Sequence, residues 1–161
     1  MKVYRLAPLA VVALAVVACN PFRREPAVEI SAGEVAMTNR WNATLSTPNE
    51  LAGAVQVRGT AWMAKNPGGS GTRVDVSLNN AAPGGAHPWH VHRGQCGADQ
   101  GVLQPADAYK PLNVDSEGRA GSTAILPISV PMSGEYFVNV HASPSNLGTI
   151  VACGNLAAPT Q

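Results

Sequence analysis

His87-Pro88-Trp89-His90-Val91-His92-Arg93-Gly94-Gln95-Cys96 holds three of the chain's four histidines and closes on a cysteine. On a strand, alternate side chains share a face, so His90 and His92 project to one side about 6.5–7 Å apart along the backbone. Two imidazoles at that spacing can converge on one ion. Pro88 has no N–H to give to a ladder, which places it at a strand start or edge and predicts that the His-x-His pair sits at a sheet margin, within reach of small solutes. The same alternation sends His87 and Trp89 to the other face, so His87 is expected to pack or hydrogen-bond rather than ligate. Taken alone, a His-x-His pair also fits ordinary half-buried polar residues. The remaining histidine, His141, shifts the balance.

At 161 residues, 45% hydrophobic and 13% charged, the chain is long enough for one domain with a real core. Sixteen glycines and thirteen prolines oppose long helices. With many short Val-rich runs, they predict an all-β domain.

Lys2 and Arg5 precede an apolar run from Leu6 to Ala18 that ends at Cys19. Such a run is too short to span a bilayer, so residues 1–18 are expected to be a secretory signal peptide. Val16-Val17-Ala18-Cys19 resembles the lipobox of bacterial lipoproteins, in which the cysteine is lipidated and becomes the new N-terminus. Several acyl chains, each buried methylene contributing about 0.8 kcal/mol, would hold the protein on a membrane surface. The expected location is the bacterial cell envelope, facing the periplasm or in the outer membrane, to which Asn20 after the cysteine permits transfer in the enterobacterial sorting pattern. Residues 19–48 form the lipid-anchored tether, with one possible strand near Asn42 to Ser46, and residues 49–161 form the barrel domain. Asn42-Ala43-Thr44 matches a glycosylation sequon by chance in a bacterial chain.

The whole chain carries 11 basic and 10 acidic residues. Without Lys2 and Arg5 the balance is near −1, which provides no footprint for nucleic acid. Three cysteines in an exported protein leave an odd thiol unless one has another use. Lipidation of Cys19 accounts for it, and Cys96 and Cys153 are left to pair in the oxidising envelope.

Along the rest of the chain, Val55 and Val57 alternate with Gln56 and Arg58, predicting a strand that runs through Trp62 and Met63 to the break Asn66-Pro67-Gly68-Gly69-Ser70-Gly71. Arg73 to Leu78 is a half-buried strand with Val74, Val76 and Leu78 inward. Ala82-Pro83-Gly84-Gly85 turns the chain into the histidine strand. The segment from Cys96 to Lys110 shows no regular pattern. Asn113 to Ala120 is expected to be a strand end, an acidic Gly-containing turn and a returning strand to Ile128. Pro131-Met132-Ser133-Gly134 is another turn. Tyr136, Val138 and Val140 then alternate with Phe137, Asn139 and His141, and Ile150-Val151-Ala152 is a last short strand. Short strands at regular spacing indicate a sandwich or barrel. An immunoglobulin domain needs a tryptophan between paired cysteines, whereas Trp41, Trp62 and Trp89 all precede Cys96.

His90, His92 and His141 form a candidate three-nitrogen site, a chelating pair plus a ligand from a distant strand. Neutral imidazoles suit copper, zinc or iron, and three ligands leave an open position. At equal availability Cu(II) binds more tightly than Zn(II), but the spacing by itself does not exclude zinc.

From Leu51 to Leu156 the chain resembles the Cu/Zn superoxide dismutase family. The likeness runs through His87-Pro88-Trp89-His90-Val91-His92, Cys96, the hairpin Leu112-Asn113-Val114-Asp115 to Gly118-Arg119-Ala120, Val138-Asn139-Val140-His141 and Val151-Ala152-Cys153-Gly154-Asn155. It implies a Greek-key β-barrel, copper held by His90, His92 and His141, and a Cys96 to Cys153 disulfide. The family's zinc loop supplies a bridging histidine and further ligands, yet between Cys96 and Pro111 there is no histidine and the acids are Asp99 and Asp107. No zinc site and no imidazolate bridge are expected. Where the family carries an arginine that guides superoxide, this chain has Ile150, and no cation lies between His141 and Cys153.

Three readings follow: a copper-only, lipid-anchored superoxide dismutase acting through His90, His92 and His141; a copper carrier or buffer on the envelope; and a structural barrel with a vestigial site. The expected partners are superoxide or a copper ion, and the membrane through the lipid. The oligomeric state is left open. No phosphate cradle, nucleophile arrangement or paired-carboxylate motif is present.

Overall fold

The structure is a computed structural model that describes residues 39–54, 56–103 and 106–160. The expected signal peptide, Cys19 and the expected tether up to residue 38 lie outside the described residues. Ten strands follow in order: β1 (Trp41–Ser46), β2 (Arg58–Lys65), β3 (Thr72–Asn79), β4 (Ala86–His87), β5 (Trp89–Gln95), β6 (Ala98–Val102), β7 (Leu112–Asn113), β8 (Ala120–Leu126), β9 (Tyr136–Ser143) and β10 (Asn146–Leu156). Eight of them form one antiparallel sheet in the order β6-β5-β9-β10-β1-β2-β3-β8, and β4 pairs with β7. The fold is a Greek-key β-barrel of the Cu/Zn superoxide dismutase type, as the resemblance implies, and falls in the sandwich-or-barrel class that the pattern of short strands and turns predicts.

Alternation explains which faces close the core. In β1 every second residue is buried, placing Trp41, Ala43 and Leu45 inside, and β3 repeats the pattern with Val74, Val76 and Leu78. Sequence neighbours β1, β2 and β3 run as a meander. The chain then leaves the sheet, and β9 inserts between β5 and β10, far from β8. The β4–β7 ladder joins Ala86 to Asn113 and His87 to Leu112. Because β4 leads into β5 and β7 leads toward β8, this ladder links the two sides of the curled sheet.

Several boundaries differ from the sequence pattern. The strand predicted from Val55 and Val57 onward starts only at Arg58, and a 3-10 turn at Asn49–Leu51 precedes it. Val57 is nonetheless buried, and its carbonyl accepts the Thr47 N–H at 3.1 Å, so its burial serves a loop closure rather than a ladder. β1 is a full member of the sheet, and the barrel therefore takes in residues N-terminal to 49. The hairpin at Asp115 forms its turn, with the Asp115 carboxylate accepting the Glu117 and Arg119 N–H groups, but its incoming strand pairs with β4 and not with β8. The outgoing strand stops at Leu126, short of Ile128.

β5 is not the sheet margin that Pro88 suggested. Pro88 separates β4 from β5 instead, and β6, drawn from the segment with no visible pattern, covers the outer flank of β5. β6 is a suitable edge: it is short, largely exposed and bulged.

Cys96 and Cys153 are joined in a disulfide with Cα atoms 6.0 Å apart, closing 57 residues of sequence. It fastens the β5–β6 turn to β10, and the Cys96 N–H donates to Asn155 Oδ1 at 2.8 Å beside it. Closing a loop of this length restricts the unfolded chain by about 4 kcal/mol in the entropy model. Replacing both cysteines by serine is expected to lower unfolding free energy by about 2–4 kcal/mol in urea titrations. An unchanged midpoint would mean that the bridge contributes nothing to stability.

Candidate metal centre

His90 and His92 lie on β5 and His141 lies on β9, the adjacent antiparallel strand. The register places Trp89 opposite Val140, His90 opposite Asn139 and Val91 opposite Val138. Trp89, Val91, Val138 and Val140 turn to the core, each fully buried. The alternate residues therefore share the other face, where His90, His92 and His141 meet. Their exposures are 8%, 5% and 6%, so three polar rings sit out of water. One ligand atom from each lies within 4.8 Å of the others, and this is the one such group of His, Cys, Asp and Glu found among the described residues.

Outer contacts fix which nitrogen two of the rings present. A carbonyl and an ionised carboxylate accept but do not donate, so a ring nitrogen bonded to either must carry the proton. His141 Nδ1 donates to the Leu147 carbonyl at 2.7 Å, leaving Nε2 bare. His92 Nδ1 donates to Asp99 Oδ1 at 2.9 Å, and its buried Nε2 has no protein partner. His90 Nδ1 stands 3.1 Å from His141 Nε2. That separation suits two nitrogens each about 2.0–2.1 Å from one ion at roughly a right angle. The donor set, a buried unpartnered nitrogen and two nitrogens facing each other, fits a late first-row metal ion.

β-Bulges lie beside these outer contacts. On β10 the register with β9 shifts between Asn146 and Ile150 and again between Ile150 and Ala152, where the extra residues belong to β10. That irregular stretch brings the Leu147 carbonyl to the His141 ring. A further shift lies on β6, next to His92. Bulges re-aim groups in this way without ending the sheet.

His87 is not one of the three. It sits on β4, its Nδ1 donates to the His141 carbonyl at 2.9 Å, and the His141 N–H donates to the Pro88 carbonyl at 2.8 Å. The two residues ahead of β5 thus hold the backbone of the third histidine. Sequence reading missed Asp99 and Leu147 as orienting groups. The flanking Gly97 and Gly101, both with positive φ, were the available sign that the segment after Cys96 is a hairpin.

Burial lowers the His90 pKa to about 4, helped by the neighbouring charges of His141 and His92. Burial also lowers His141, against the Leu147 carbonyl, which favours its charged form. For Asp99, burial opposes the charge, but the bonds from Gly101 N–H and His92 outweigh it and the carboxyl is held below its ordinary value. Tyr109, whose ring meets His90 edge-on at 5.4 Å, is pushed up to about 12 by burial and stays protonated.

A cleft of about 1010 Å³ opens onto His141 and Asp99 and runs along Thr44, Asn49, Glu50 and Asn139. Ile150 stands opposite His141 in the β9–β10 ladder and lines the same cleft. Among the lining residues, Glu50 and Asp99 carry the formal charges; no lysine or arginine is there.

The buried imidazoles make the stability of the metal-free protein depend on pH. His90 titrates near 6.5 when unfolded and at about 4 when folded, so between those values the unfolded chain binds more protons. Stability present above about 6.5 is lost as pH falls toward 4. Thermal melts from pH 7 to pH 4 are expected to show a falling Tm, with the slope reduced in His90→Gln. A flat profile would contradict burial of neutral rings. His141→Ala is expected to weaken copper(II) binding by more than the roughly 10–100-fold that loss of an outer contact costs, measured by chelator competition.

No family model matches the chain, and no curated protein matches it. Among solved structures it is similar to a double mutant of a SOD-like protein from Bacillus subtilis, at 17% identity and a TM-score of 0.53, over 73% of this chain and 97% of that one. The likeness is one of fold.

Proposed function

We propose that this protein is a lipid-anchored envelope protein whose barrel binds one copper ion through His90, His92 and His141 and dismutes superoxide without a zinc partner. One observation carries the reading: three buried imidazoles, brought from two strands, aim ligand atoms within 4.8 Å of one another. The shared fold of a SOD-like protein supports it. Cys19 as the lipidated residue, and the envelope as the location, rest on the lipobox pattern.

Bound copper would supply one-electron chemistry, taking an electron from one superoxide to give dioxygen and passing it to the next to give peroxide. The chain's own residues divide the remaining tasks. His90 Nδ1, His92 Nε2 and His141 Nε2 are the nitrogens that would ligate, with His90 giving up the Nδ1 proton that it donates to His141 Nε2 in the metal-free chain. Leu147 and Asp99 orient two of the rings, and Phe137 stacks on His92 at 5.1 Å and shields it. His141 borders the cleft through which small solutes arrive. With no bridging histidine, protons for peroxide come from water in that cleft.

The cleft also favours a second reading, a copper buffer. Glu50 and Asp99 attract cations and repel superoxide, and Ile150 provides no compensating charge. Copper titration of the mature protein followed by a superoxide assay separates the two. Turnover above that of an equal amount of free copper supports dismutation; tight binding without it supports buffering; absence of binding leaves a structural barrel.

Ile150→Arg is expected to raise kcat/KM for superoxide roughly tenfold at low salt, with the gain shrinking as ionic strength rises. No change at low salt would show that the anion does not approach past residue 150.

A further inference from the structure

We propose that Asp99 is a positioning residue for the metal centre, holding His92 in the Nδ1–H tautomer so that Nε2 is kept as the ligand atom. The inference rests on the reading of the three histidines as a metal site, and it adds a residue from outside the resemblance's ligand set.

Pairing sets Asp99 opposite Gly94, diagonally across from His92 on the same face, and the irregularity lies just beyond it. Gly94 pairs with Asp99 and Gln95 with Ala98, so an unbroken antiparallel ladder would set His92 against residue 101. The observed partner of His92 is Val102. β6 therefore carries one extra residue between Asp99 and Val102. Gly101 adopts φ of 100° there, a backbone region that residues with a Cβ rarely enter. Asp99 Oδ1 accepts the Gly101 N–H at 2.7 Å and His92 Nδ1–H at 2.9 Å. A single oxygen thus caps the bulge and holds the ring.

The turn beneath is fastened independently. Cys96 is bonded to Cys153, and its N–H donates to Asn155. At Gly94 a Cβ would collide with the Ala98 carbonyl, so the two strands approach closely just before Asp99. Asp99 consequently projects from a segment tied to β10 and not from a loose loop. A carboxylate behind a ligating imidazole fixes its orientation and raises its basicity, and removal of such partners commonly costs about 10–100-fold in affinity. The Asp99 side chain is 51% exposed, which places the expected loss at the lower end of that range.

The test compares the wild type with Asp99→Asn and Asp99→Ala. Ring ¹⁵N shifts of His92 in the metal-free protein report the tautomer, and chelator competition reports copper(II) affinity. The wild type is expected to show a single Nδ1–H form. Asp99→Asn, whose amide oxygen can accept both bonds, should keep that form and most of the affinity. Asp99→Ala should show mixed tautomers and about tenfold weaker binding. A single Nδ1–H form with unchanged affinity in Asp99→Ala overturns the proposal, as does failure of Asp99→Asn to retain the tautomer. If the wild type takes up no copper, the metal reading fails by itself, while the ring nitrogens still report whether Asp99 sets the tautomer.

Discussion

The antiparallel ladder between β5 and β9 is the constraint on which the site depends. It sets Trp89 against Val140 and Val91 against Val138, burying four large side chains on one face. Because strand side chains alternate, the core residues determine where the polar ones go. A slip of one residue would turn His90 and His92 into the core and expose Trp89 and Val91. The energy of apolar burial thus enforces the position of three buried imidazoles that would be costly in any unpaired arrangement. The bonds from His87 and Pro88 to the His141 peptide groups fix the end of this ladder from the neighbouring side.

Around that rigid pair, the adjoining strands are irregular. β6 on one flank and β10 on the other each depart from regular pairing beside a histidine. Beside each departure an acceptor faces Nδ1 of a ring whose Nε2 is left bare. On β10 it is the Leu147 carbonyl, and on β6 it is the Asp99 carboxylate. The regular ladder sets the spacing of the rings, while the acceptors on β6 and β10 set which nitrogen His92 and His141 offer. This division suits a metal centre, since ligand position needs a stiff frame and ligand tautomer needs a local acceptor.

The approach to the site differs in kind from its floor. Ile150, opposite His141, contributes an apolar surface, and the cleft's formal charges are acidic. Such a mouth favours an incoming cation over an anion. Of the three imidazoles His141 lines the cleft, and the two proposed readings, copper uptake and turnover of superoxide, differ in whether the mouth admits the anion fast enough to matter.

The sequence by itself determined the period-two strands, the turns rich in Gly, Pro and Asp, and the shared face of His90 and His92. These depend on residues within a few positions of one another, where alternation and turn chemistry act directly. The pairing of Cys96 with Cys153 was also legible, through the odd count of cysteines and the family likeness. The tertiary structure alone decided that β6 covers β5, that β4 pairs with β7, and that Asp99 and the Leu147 carbonyl reach the rings. Asp99 stands in a run with no apolar period, and Leu147 acts through its backbone, which side-chain identity does not encode. Bulges arise from the competition between ladder register and loop closure across distant strands. That competition is settled only when the whole sheet closes.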